Sequence, residues 1–150
     1  MKLSILSVLL LVSGLLLSAC GGAPAASASN ASPEPAAVED QASLVAALEA
    51  GGAAVEAGEP ISQPFFSVEG SIIKVNGADV QVFEFENAEE MELASSQIAP
   101  DGGSDATTMI TWIDTPHFYK SGRVIALYIG SDEAVISLLE KAMGSQFAGG

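Results

Sequence analysis

The stretch 65–85, Phe65-Phe66-Ser67-Val68-Glu69-Gly70-Ser71-Ile72-Ile73-Lys74-Val75-Asn76-Gly77-Ala78-Asp79-Val80-Gln81-Val82-Phe83-Glu84-Phe85, decides the fold class. Two runs rich in β-branched and aromatic residues, Phe65 to Val75 and Ala78 to Phe85, flank an Asn-Gly pair. Both central positions of a type I′ turn need positive φ, and Asn-Gly meets that need at least steric cost, so the stretch predicts a β-hairpin. Pairing through this turn places Lys74 opposite Asp79, a cross-strand ion pair.

Upstream, Gln41, Leu44, Val45 and Leu48 recur at helical spacing and Gly51-Gly52 follow as a stop. Ala53 to Glu56 reads as a short strand, and Gly58, Glu59 and Pro60 as punctuation. Downstream, Asn87-Ala88-Glu89-Glu90 resembles a capping box, and Met91, Ala94, Ser95 and Ile98 line one face of a helix that stops before Pro100. Asp101 to Asp105 is a loop. Thr107 to Ile113 and Arg123 to Ile129 read as two more strands, joined by the connection Asp114 to Gly122. A last helix opens at Ser131-Asp132-Glu133, carries the apolar stripe Val135, Leu138, Leu139, Ala142 and Met143, and stops at Gly144. The order is α, β, ββα, ββα. It predicts an α+β two-layer sandwich, an antiparallel sheet with the helices on one face. Phe83-Glu84-Phe85 and Leu127-Tyr128-Ile129 occupy equivalent places in the two ββα units, a likeness of pattern more than of residues.

The first forty residues have a different character. Lys2 precedes an apolar run from Leu3 to Leu17 that ends in Leu17-Ser18-Ala19-Cys20. A short apolar run closed by small residues reads as a signal peptide. The ending is similar to the lipobox of bacterial lipoproteins, which implies that Cys20 is the lipidation site and the mature N-terminus. The competing interpretations are an ordinary secretory signal and a single transmembrane anchor. Residues 1–19 are thus the expected signal peptide, 20–40 the lipidated Cys with a flexible Ala/Ser/Pro linker, and 41–150 the α+β domain. Such a linker, at about 5–6 Å × √n, holds the domain roughly 25 Å from the bilayer. The expected location is the cell membrane, lipid-anchored on its extracytoplasmic face. With one Cys in the chain, no intrachain disulfide can form.

The whole chain carries 5 basic and 19 acidic residues, a formal charge of −14. Removing residues 1–19 takes away Lys2 and no acid, leaving 4 basic and 19 acidic residues, a formal charge of −15. This balance excludes sequence-independent nucleic-acid binding and a polybasic grip on anionic lipid, both of which need dense positive charge.

Nucleophile-elbow, phosphate-loop, zincin and dinucleotide-binding patterns are missing, and no metal or cofactor is expected. The loop Asp101 to Asp105 lacks the ligand spacing of a calcium loop, since Gly103, Ala106 and Trp112 stand where ligands or Gly are needed. Glu84, Glu86, Glu89, Glu90 and Glu92 fit a solvated face and a helix N-terminus. The most unusual segment is Thr115 to Arg123, which holds the single His, one of two Tyr, and two of the four basic residues left in the mature chain. His117, Phe118, Tyr119, Lys120 and Arg123 are therefore a candidate binding surface. The competing interpretation makes Phe118 and Tyr119 a cap on the core, with Lys120 and Arg123 offsetting nearby acids.

Across residues 61–147, Gln63-Pro64-Phe65-Phe66-Ser67-Val68, Val75-Asn76-Gly77, Val80-Gln81-Val82-Phe83-Glu84, Pro100-Asp101-Gly102, Pro116-His117-Phe118-Tyr119-Lys120 and Gly122-Arg123 resemble a group of uncharacterised bacterial lipoproteins. The resemblance implies a location and a domain shape and carries over no catalytic residue. The functional expectation is a membrane-anchored binding or accessory module for an envelope protein or a small solute. The alternative is a small envelope enzyme using His117 with a carboxylate such as Asp114.

Overall fold

In the computed structural model, which describes residues 37–150, the chain runs α1 (Gln41–Ala50), β1 (Val55–Ile61), β2 (Gly70–Val75), β3 (Ala78–Glu84), α2 (Ala88–Ser95), β4 (Pro116–Ser121), β5 (Val124–Ile129), α3 (Glu133–Met143) and β6 (Ala148–Gly149). The strands form one antiparallel sheet in the order β1-β2-β3-β5-β4-β6. The expected α+β class and element order are found, with β6 added at the end.

The hairpin predicted at Asn76-Gly77 joins β2 to β3. Asn76 has φ 52° and Gly77 φ 89°, the two positive values a type I′ turn demands. Lys74 stands opposite Asp79, and Lys74 Nζ lies 2.6 Å from the Asp79 carboxylate. Phe65 to Glu69 do not extend β2 as expected, since the strand begins at Gly70. The opposite holds at β1, which runs through Gly58, Glu59 and Pro60 instead of ending before them. A register irregularity between Ala57 and Pro60 absorbs these residues, which an edge strand tolerates.

The second hairpin is displaced from its expected place. Thr107 to Ile113 lies outside the sheet, and the supposed connection Asp114 to Gly122 contains β4. Ser121 pairs with Val124 across Gly122-Arg123, and only Gly122 of these two has positive φ, at 55°, the pattern of a type II′ turn. Pro116 is the first residue of β4, where its missing N–H costs no interior ladder bond. Strand preference is decided by neighbours more than by the segment itself. Pro116 to Ser121 has β5 beside it; Thr107 to Ile113 has no full strand.

The layering also differs from expectation. Val80 and Val82 of β3, Tyr119 of β4, and Val124, Ala126 and Tyr128 of β5 pack with Leu44 and Leu48 of α1 and Val135, Leu139 and Met143 of α3. Phe83, Phe118, Ile125 and Leu127 point to the other face, where Met91 of α2, Phe66 and Ile98 cover them. The helices thus divide between the two faces rather than sharing one. The central strands carry apolar side chains on both sides, and each side needs a cover.

The domain begins before Gln41. Val38, inside the expected linker, is 1% exposed; its carbonyl accepts the Ser121 hydroxyl at 2.8 Å. Asp40 caps α1, accepting from Ser43 N at 2.9 Å, while the Ser43 hydroxyl accepts the Asp40 amide. The expected signal peptide, Cys20 and linker through residue 36 lie outside the described residues. Among the described residues, no helix is long and apolar enough to cross a membrane.

Candidate functional site

The five residues singled out between Thr115 and Arg123 stand on β4 and its turn, and alternation along the strand sends them to different places. His117 is 7% exposed. Its Nδ1 lies 2.8 Å from Gln146 Oε1 and its Nε2 3.1 Å from the Gly130 carbonyl, and its ring stacks on Tyr128 at 6.0 Å. Asp114 does not meet it; that carboxylate accepts the Thr115 amide at 2.7 Å. Among the described residues no carboxylate bonds to the His117 ring.

Phe118 and Tyr119 are fully buried on opposite faces. Phe118 meets Phe65, Trp112 and Phe147 at ring separations of 6.4, 5.9 and 5.9 Å. The Tyr119 hydroxyl has no hydrogen-bond partner among the described residues. Its pKa is pushed up to about 12, chiefly because burial disfavours the phenolate and secondly because of the Glu140 charge. These two side chains form part of the core and offer no docking surface.

The two cations are engaged by nearby acids. Lys120 Nζ lies 2.5 Å from Glu92 Oε2 and 3.0 Å from Ser95 Oγ, tying β4 to α2, and stands 5.3 Å from the centre of the Phe147 ring. Arg123 lies 2.6 Å from Glu84 Oε1 and 3.8 Å from Asp40 Oδ2. Asp40 is held below the usual carboxylate range, first by the Ser43 amide and then by the Ser43 hydroxyl, with Arg123 adding to the effect. Glu84 also accepts the Gln41 amide at 2.9 Å, so this cluster fastens the start of α1 to the sheet. The five residues therefore divide: His117, Phe118 and Tyr119 are buried along an inner strand, while Lys120 and Arg123 stand partly exposed in ion pairs with Glu92, Glu84 and Asp40.

Open concave surface occurs instead around Phe65, with polar and apolar side chains mixed in its lining. One groove of about 470 Å³ lies between α2 and the segment before β2, lined by Phe65, Ser67, Glu90, Leu93, Ala94 and Gln97. A second, of about 270 Å³, is bounded by Gln63, Pro64 and Phe65 on one side and by Asp105 and residues 107–111 on the other. Phe65 is shared by both and packs against Phe66 and Trp112 at 4.8 and 6.0 Å. The Trp112 indole N–H donates to the Gly102 carbonyl at 2.7 Å, which anchors the 102–112 segment. Among the described residues, three large apolar side chains stay in water, Leu93 at 64% exposure, Met109 at 89% and Ile113 at 98%. Sequence reasoning missed this region because it assigned Thr107 to Ile113 to the sheet; the signal was the alternation itself, which promised one face that the fold leaves uncovered.

Among the described residues, no group of three or more His, Cys, Asp or Glu side chains is disposed to hold a metal ion. No family model matches the chain, and no match is found among the curated proteins or the solved structures.

Proposed function

We propose that this protein is a lipid-anchored envelope protein whose α+β domain works by binding another molecule. The observation that carries the anchor is Leu17-Ser18-Ala19-Cys20 at the end of an apolar run preceded by Lys2. Small side chains before the Cys suit cleavage, and the thiol supplies the acyl acceptor; more than one acyl chain on Cys20 makes the attachment stable. Among the described residues the first buried side chain is Val38, and the chain between Cys20 and Val38 serves as the tether. Binding is supported by the exposed Leu93 and Met109, which line the two grooves that share Phe65.

The test is the mass of the mature N-terminus in membranes that express the full chain. The expected result is a chain that begins at acylated Cys20, with the acyl mass lost in Cys20→Ser. An unmodified wild-type N-terminus overturns the anchor.

A further inference from the structure

The segment Thr107-Thr108-Met109-Ile110-Thr111-Trp112-Ile113 alternates like a strand but is paired along one side only. Ser104 and Met109 form an isolated antiparallel bridge. It is held by Ile110 N–H donating to the Gly103 carbonyl at 2.8 Å and Asp105 N–H donating to the Thr108 carbonyl at 3.0 Å. In antiparallel pairing a residue points its N–H and C=O the same way, and the direction alternates along the strand. Thr108 and Ile110 face residues 103–105 through these bonds, so Met109 between them turns its amide and carbonyl outward, and the same alternation carried one step on turns those of Thr111 outward. None of these four groups bonds to a described backbone group. The side chains follow a similar division: Trp112 is partly buried against Phe65 and Phe118, while Met109 and Ile113 are exposed.

Charge frames the stretch. Residues 106–113 carry none, and a carboxylate stands at each end, Asp105 and Asp114. Asp105 is held below its ordinary range, first by the Thr107 amide and also by the Thr108 amide and Thr107 hydroxyl. The 270 Å³ groove beside residues 107–111 offers room for a side chain against Phe65.

We propose that Met109–Thr111 is an open strand edge that receives an extended segment of a partner protein, apolar at alternate positions and flanked by Lys or Arg. Strand addition satisfies the outward amides and carbonyls, alternate side chains cover Met109 and Ile113 or enter the groove, and the flanking cations meet Asp105 and Asp114. A bilayer fits less well, because hydrocarbon leaves those backbone groups unpaired and anionic lipid repels the flanking acids. The proposal rests on the binding-module reading above and specifies its partner.

The experiment uses the isotope-labelled full chain purified from membranes in detergent micelles, with amide exchange read residue by residue. The probes are an alternating Val/Thr peptide with Lys-Lys at both ends, the same peptide with Glu-Glu ends, the Lys-ended peptide N-methylated at alternate amides, and anionic phospholipid vesicles. Exchange at Met109 and Thr111 should slow about tenfold with the Lys-ended peptide and less than about twofold with the Glu-ended and N-methylated forms. Thr111→Pro removes an outward donor that makes no backbone bond within the domain, so binding should weaken at least about tenfold at an unchanged melting temperature. Should that variant fold poorly, Met109→Ser with Ile113→Ser tests the same edge through its side chains and should also lose binding. Three results overturn the proposal: no slowing at these amides with the Lys-ended peptide, equal binding by the N-methylated peptide, or vesicles that shield Met109 and Ile113 without slowing the amides. The acyl mass at Cys20, read on the same sample, reports the anchor separately. An acylated chain with an unresponsive edge removes this proposal and leaves the anchor standing.

Discussion

The backbone N–H of Arg123 donates to the Glu39 carbonyl at 3.0 Å, joining the turn between β4 and β5 to the segment that precedes the first helix. One residue earlier, Gly122 lies so close to the Glu39 backbone that a Cβ would overlap it. The turn and the entry to α1 are therefore one packing unit, and the local conformation of Gly122 has a long-range consequence.

That relationship separates two glycines of the same sheet. Gly77 and Gly122 both have positive φ, yet nothing lies within 4 Å of a Cβ built on Gly77. Gly77→Ala should lose only the conformational term, about 1 kcal/mol, whereas Gly122→Ala adds displacement of Glu39 and should lose more than about 2 kcal/mol. Urea denaturation of the two variants measures the difference. Equal losses would show that Glu39 yields freely.

Val38 tests where the domain starts. It is buried against the sheet, although its neighbours in sequence look like linker. Val38→Ala should lower stability by about 2 kcal/mol, while a change at exposed Ala37, such as Ala37→Ser, should leave the denaturation midpoint in place.

Tyr119 carries a hydroxyl that the core does not satisfy. Tyr119→Phe removes the unpaired group without opening a large cavity, so stability at neutral pH should stay level or rise by about 1 kcal/mol. The alkaline behaviour has a definite sign. With the folded pKa raised to about 12 from an ordinary value of 10.0, the folded state holds the phenol proton more tightly than the unfolded state. The contribution is fully present below pH 10 and is lost as pH climbs from 10 to 12. Unfolding measured across that window should show a smaller decline for Tyr119→Phe than for the wild type.

Lys120 joins β4 to α2 through Glu92 and Ser95. Lys120→Glu sets like charges against each other, and the expected loss is about 1 kcal/mol, shrinking as salt is added. Thermal unfolding at low and high ionic strength checks both parts. A salt-independent loss would assign the role of Lys120 to the packing of its methylene stem near Phe147.

The sequence by itself determined what local physics controls. Asn76-Gly77 demanded the hairpin and set Lys74 against Asp79, Asn87 and Asp132 marked the starts of α2 and α3, and Gly51 and Gly144 marked the ends of α1 and α3. Each of those signals lies within a few residues of the element it controls. The tertiary structure alone decided which of two strand-like segments entered the sheet. Pro116 to Ser121, with its Pro, Lys and Ser, became an inner strand because β5 and β6 pair with it on either side. Thr107 to Ile113, the better strand by composition, stayed outside with Met109 and Ile113 in water. For the same reason His117, Phe118 and Tyr119 became core, and both faces of the sheet acquired helices. Backbone pairing and burial depend on contacts between segments far apart in the chain, and composition and periodicity do not encode which neighbour will be there.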